Sequence, residues 1–205
     1  MNSCLLCEKP LDDQPTWQQF LGIEKQTSTC PVCLAKFERI DSITKNDQLD
    51  SIYSLYAYNE QAREYLHQFK FLQDIALAYV FASDLRSVLI DPKKIIVPIP
   101  MHPASKKRRT FAQVDALLEA AGIPFQELLQ KTTESVMGEK TRSERLAIIE
   151  LFTASADIIS NEKIYVLVDD IYTTGTTLQH AARTLKQAGA ERVEAVTLFR
   201  ATGKK

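Results

Sequence analysis

The chain has 205 residues, 45% hydrophobic and 25% charged, with a formal net charge of −1. That is globular composition, enough for one medium domain and a small one, and it excludes nucleic-acid binding through overall basicity, so any basic site must be local. The start, Met1-Asn2-Ser3-Cys4, has no signal-peptide pattern, and no apolar run approaches the ~20 residues of a membrane span. The expected location is the cytoplasm, without membrane insertion.

All the cysteines come early, as Cys4-x-x-Cys7 and Cys30-x-x-Cys33. In a cytosolic chain this spacing points to zinc rather than to disulfides. Each short spacer turns two thiolates onto one ion, and the two knuckles together complete a tetrahedral four-sulfur site. Four protein ligands leave no open position for water, so the zinc is expected to be structural. Residues 1–45 are read as this zinc-ribbon-like module, with Trp17, Phe20, Leu21 and Ile23 as its small apolar cluster. Arg39 to Asp50 is polar and reads as a linker. Residues 50–205 form the main domain.

Ile52 to Tyr58 predicts a strand. Ala62, Leu66 and Phe69 recur at helical spacing, and Ile75, Ala78, Tyr79, Ala82, Leu85 and Leu89 predict one face of a second helix. A break falls near Gln73 and Asp74. Lys70 reads first as a surface lysine. Ile95 to Pro100 is a short buried strand. The loop after it carries Lys106, Lys107, Arg108 and Arg109 at the edge where open α/β sheets bind ligands. Phe111, Val114, Leu118 and Ala121 predict a helix closed by Gly122 and Pro124. Phe125 to Lys131 is left open between strand and short helix. Thr132 to Thr141 reads as a loop, Arg142 to Ile149 as a helix, and Ser155 to Glu162 as a connection.

Ile164 to Val168 is apolar on both faces, as in a buried parallel strand. Asp169 and Asp170 follow, then Thr173, Thr174, Gly175, Thr176 and Thr177. A helix with Leu178, Ala182 and Leu185 on one face then runs to Gly189, and Val193 to Phe199 is the last strand. Strand, acids, hydroxyl-rich turn and helix make the layout of an anion site at a helix N-terminus. Carboxylates would repel a phosphate, but they accept from the hydroxyls of a sugar diol beside one. Strands alternating with helices predict an α/β fold, a mostly parallel sheet with helices on both faces.

The stretch from Val166 to Thr177 resembles the phosphoribosyl diphosphate (PRPP) signature of type I phosphoribosyltransferases. The resemblance implies that Asp169 and Asp170 bind the ribose hydroxyls and that Thr173 to Thr177 cradle the 5-phosphate. Further matches are the cysteine knuckles, Lys70-Phe71, Pro98-Ile99-Pro100-Met101-His102-Pro103, Phe111, Gln113 and Glu144-Arg145-Leu146. With these, the whole chain resembles the ComF family of competence proteins.

That resemblance implies a role in natural transformation: handling single-stranded DNA after uptake, alongside a ComFA-type DNA-uptake helicase and a recombination mediator. Lys106 to Arg109 would hold DNA phosphates or a diphosphate, with Tyr172 or Phe111 as a base-stacking candidate; packing in the core is the favoured role for Phe111. Two other functions stay open. One is an active phosphoribosyltransferase using PRPP and Mg²⁺, a reaction that Lys70 would assist in its other candidate role. The other is a non-catalytic adaptor that recruits the helicase.

Overall fold

The computed structural model describes residues 3–11, 28–101, 110–131, 151–155 and 162–201. The apolar cluster expected at Trp17 to Ile23, the cations Lys106 to Arg109, His102, and the loop and helix expected over 132–149 lie outside the described residues.

Five strands form the main sheet: β1 (Arg39–Thr44), β2 (Ser51–Ala57), β3 (Lys94–Pro98), β6 (Ile164–Tyr172) and β7 (Arg192–Arg200). Their order is β1-β2-β7-β6-β3, and only the β1–β2 pairing is antiparallel. A separate antiparallel pair joins β4 (Leu129–Lys131) to β5 (Phe152–Ala154). Thus the segment left open at Phe125 to Lys131 ends in a strand.

Alternation along β6 sorts its side chains between two cores. Val166 and Val168 join one cluster; Tyr165 and Leu167 join the other. The first cluster lies under α2 (Glu60–Phe71), a 3-10 helix (Ile75–Phe81), α3 (Ala82–Leu89) and α4 (Gln113–Ala121). The second lies under α5 (Thr176–Gln187), which buries Leu178, Ala181, Ala182 and Leu185. Helices therefore cover both faces, as the strand–helix alternation predicts.

Local chemistry sets the helix ends. The Asn59 side chain accepts from the Ala62 N–H and caps α2. Gly122, at φ 64°, closes α4 in the left-handed conformation. Gln73 takes φ 59°, and the Asp74 carboxylate caps the following turn, so the break expected there is present.

Two expectations are corrected. Arg39 to Thr44 is not linker but the edge strand β1; Arg39 pairs with Tyr56 and Thr44 with Ile52, across a register shift between Arg39 and Ser42. An edge strand exposes one face, which leaves it polar enough to read as a connection. Ile75 to Leu89 is not one amphipathic helix. Its first seven residues are a 3-10 helix at about 3.0 residues per turn. The change of pitch rotates Ile75 and Tyr79 into solvent and buries Leu77, Ala78, Val80 and Phe81.

The cysteine segment is tied into this fold. A short helix, α1 (Pro31–Leu34), starts on a proline, where the missing N–H costs nothing. Just beyond it, Phe37 enters the main core. Its ring lies 4.9 Å from Phe81 and 6.1 Å from Tyr65, edge to face with both. Ser28 Oγ donates to the Tyr79 carbonyl at 2.9 Å, and Asn59 Nδ2 to the Lys36 carbonyl at 2.9 Å.

Candidate functional site

Strands β3 and β6 are neighbours, but the helices that follow them go to opposite faces. After β3 the chain leads to α4 over the first core; after β6 it leads to α5 over the second. Such a switch point opens a crevice at the carboxyl ends of the two strands. The β3 ladder stops at Pro98 opposite Val168, while β6 continues beside β7 to Tyr172. Asp169 and Asp170 therefore extend past their β3 neighbour into an open space. The acids lie inside the strand, three and two residues before its last residue, Tyr172, and not beyond it.

A pocket of about 250 Å³ fills this crevice. Asp169, Asp170 and Thr177 line it, with Ile99, Pro100 and Met101 after β3, Ala112, Gln113 and Val114 at the start of α4, and Lys70 and Lys131. Being adjacent in a strand, the two acids belong to opposite faces. Asp170 is on the α2 side and pairs with Lys70, Nζ to Oδ2 at 2.5 Å, the side chains 9% and 18% exposed respectively. Lys70 is thus an inward-facing residue, not the surface lysine expected. The Asp169 Oδ1 accepts from the Asp170 N–H at 2.9 Å. Burial, and then the Asp170 charge beside it, push the Asp169 carboxyl up to about 7; that N–H and the charges of Lys70 and Lys131 act in the opposite direction.

The turn after β6 is held by its glycine. Gly175 takes φ 76° and, as the N-cap of α5, offers it no side chain; the Thr176 N–H reaches the Thr174 Oγ1 at a long 3.5 Å. The Tyr172 phenol lies where a Cβ on Gly175 would stand, and the Arg200 guanidinium covers the Tyr172 ring 4.6 Å from its centre. Thr174 and Thr176 share a hydroxyl hydrogen bond of 2.9 Å. Thr173, Thr174 and Thr176 are exposed, and Thr177 alone of the turn lines the pocket. Phe111 packs against Phe69, ring centres 5.2 Å apart, at the edge of the core.

Sequence reasoning ranked Lys70 first as a surface lysine and passed over Lys131. Lys70 carried a signal: it stands four residues after the buried Leu66, on the face α2 turns inward. Lys131 carried none, because its place depends on the β4–β5 pairing.

The second candidate site is the cysteine group. The Sγ atoms of Cys4, Cys7, Cys30 and Cys33 all lie within 4.8 Å of one another and could hold a metal ion. Cys4 and Cys33 are buried, and Cys7 and Cys30 approach to 3.9 Å. Burial raises Cys4, but the N–H groups of Cys30, Leu6 and Cys7 outweigh it and bring the thiol down to about 6. Burial and the neighbouring thiols push Cys33 up to about 12. Among the described residues, no helix is long and apolar enough to cross a membrane.

Residues 105–205 match the family described as phosphoribosyl transferase domain. Competence protein ComFC of Streptococcus pneumoniae (strain ATCC BAA-255 / R6) is 32% identical over 219 residues, spanning 96% of this chain and 99% of that protein. Competence protein ComFC of Bacillus subtilis (strain 168) is 28% identical over 227 residues, spanning 96% and 94%. Among solved structures, the allosteric regulatory enzyme of purine biosynthesis is similar over 58% of this chain and 24% of its own, at 20% identity and a TM-score of 0.40. The chain belongs to the ComF family of competence proteins and has the type I phosphoribosyltransferase fold.

Proposed function

We propose that the protein serves natural transformation in the cytoplasm, handling the single strand of DNA that has entered the cell, and that its pocket binds a ribosyl phosphate in that work. The names of the two relatives support a role in competence, and the handling of the strand is what the family resemblance implies. The carrying observation for the second is the Asp169–Asp170 pair on the wall of the switch-point pocket, beside the start of α5, whose N-cap glycine offers no side chain. Carboxylates accept from a sugar diol, and first-turn N–H groups with Thr173 to Thr177 donate to its phosphate.

An internal nucleotide of DNA has no 2′-hydroxyl, and its 3′-oxygen is esterified. The acids therefore suit a ribose better than the strand itself. The strand's phosphates fall to Lys106, Lys107, Arg108 and Arg109, which follow β3 in the chain. This same point favours a second reading, a phosphoribosyltransferase acting on PRPP. Mg²⁺ supplies charge for the departing diphosphate in such a reaction, and Asp169 and Asp170 are the oxygen donors the pocket offers it. An adaptor role, with the uptake helicase and a recombination mediator as partners, is the remaining alternative.

Zinc fits the cysteine group. A tetrahedron with Zn–S bonds of ~2.3 Å has edges of ~3.8 Å, close to the 3.9 Å between Cys7 and Cys30. Its proposed role is structural, since four thiolates leave no open position.

The test is binding of labelled PRPP with Mg²⁺, and of a single-stranded oligonucleotide over a salt series, to the parent, Asp170→Ala and Lys107→Ala. Oligonucleotide binding should weaken with salt, and Lys107→Ala should reduce that dependence by about one ion. PRPP binding should fail in Asp170→Ala. Oligonucleotide binding indifferent to both salt and Lys107 would sink the DNA reading. Diphosphate release with any nucleobase would establish the transferase.

A further inference from the structure

Lys70 stands in the last turn of α2. A lysine at a helix end ordinarily carries its head into water. This one turns inward to Asp170, at 2.5 Å, and is 18% exposed. The negative end of the α2 dipole favours a cation there, and the pocket wall brings Asp169, Gln113 and Lys131 around it. Among the described residues, the charged groups of the wall are thus two acids and two lysines.

Remove Lys70, and among the described residues two acids face Lys131 alone. That pocket would repel a sugar phosphate and attract a free divalent cation. With Lys70 present, both tendencies reverse: the wall tolerates an anion, and a metal approaching Asp170 meets an ammonium already there. A neutral sugar hydroxyl can take a carboxylate oxygen without such repulsion.

We propose that Lys70 is the pocket's resident cation: it pairs with Asp170 in the empty pocket and turns to the ligand's anionic oxygens when a ribosyl phosphate enters, so that the ligand binds without a metal ion. This rests on the reading that the pocket takes a ribosyl phosphate. Lys70 is then a binding residue that also sets the order of preference between sugar phosphate and free metal.

The experiment titrates the full chain by calorimetry with ribose 5-phosphate in buffer without added Mg²⁺ and, separately, with Mg²⁺ alone, for wild type, Lys70→Met and Lys70→Arg. Loss of one charge-assisted hydrogen bond should weaken ribose 5-phosphate about 10- to 100-fold in Lys70→Met. Mg²⁺ should bind the same variant about fivefold tighter or more, because like-charge repulsion is gone. Lys70→Arg should keep sugar-phosphate affinity within about threefold, since the charge remains. If Lys70→Met gives no cooperative melt, Lys70→Gln replaces it. A purely structural lysine would weaken both ligands together. Opposite shifts support the resident cation; equal shifts, or unchanged ribose 5-phosphate affinity, overturn it. Failure of wild type to bind ribose 5-phosphate and PRPP alike would instead defeat the underlying reading of the pocket.

Discussion

Replacing Gly175 with alanine tests how the turn after β6 is held. Gly175 sits at φ 76°, ψ 0°, where an L-residue costs about 1–2 kcal/mol. The new Cβ would also run into the Tyr172 phenol. Tyr172 must then leave Arg200, 4.6 Å from its ring centre, a contact worth about 0.5–1 kcal/mol at a partly exposed site. The sum is a loss of about 1.5–3 kcal/mol, or about 3–12 °C in Tm for a chain of this size. Urea and thermal unfolding of Gly175→Ala, Tyr172→Ala and the double variant give the cycle. The double loss should fall short of the sum of the singles by about 0.5–1 kcal/mol, because the ring contact is lost once and not twice. Strict additivity, or a Gly175→Ala variant as stable as wild type, would refute this account of the turn.

Elemental analysis should find one zinc per chain, and chelation or Cys33→Ser should lower Tm; metal-free protein with an unchanged melt would contradict a structural zinc site. Phe37→Ala should cost about 3–5 kcal/mol in urea unfolding, the loss of a fully packed ring, because Phe37 carries the cysteine segment into the main aromatic cluster; a cost below about 1 kcal/mol would mean that the segment is only loosely attached. Asp169 titrates near 7 in the folded chain against an ordinary 3.8, so the folded state binds the proton more tightly. Its contribution to stability is then present below about pH 4 and lost as pH rises through about 7. The stability difference between wild type and Asp169→Asn should therefore shift against wild type over that window, and a pH-independent difference would contradict the raised carboxyl.

The central strand and its helix were legible because both signals are local. Ile164 to Val168 is apolar on both faces, the mark of a strand between two covered layers, and Leu178, Ala182 and Leu185 keep one helical face. The cysteine spacing likewise states its own chemistry. What escaped depends on partners distant in sequence. β1 exists because β2 pairs with it; its residues alternate only between exposed and half-buried, and Asp41 takes φ 42°. The pitch change at Ile75 goes with packing Phe81 against Tyr65 of α2 and Tyr56 of β2, which no local period announces. Lys131 reaches the pocket only through the hairpin with Phe152. Lys70 was ranked the wrong way round, since a lysine four residues after a buried leucine cannot share the core with it unless an acid waits there.

The most direct test of the pocket is a crystal structure of the chain with ribose 5-phosphate. The sugar hydroxyls should lie on Asp169 and Asp170, with the phosphate on the amides from Thr173 to Thr177 and Lys70 turned from Asp170 toward the ligand. Density for the sugar phosphate elsewhere on the molecule, with the Lys70–Asp170 pair intact, would contradict it.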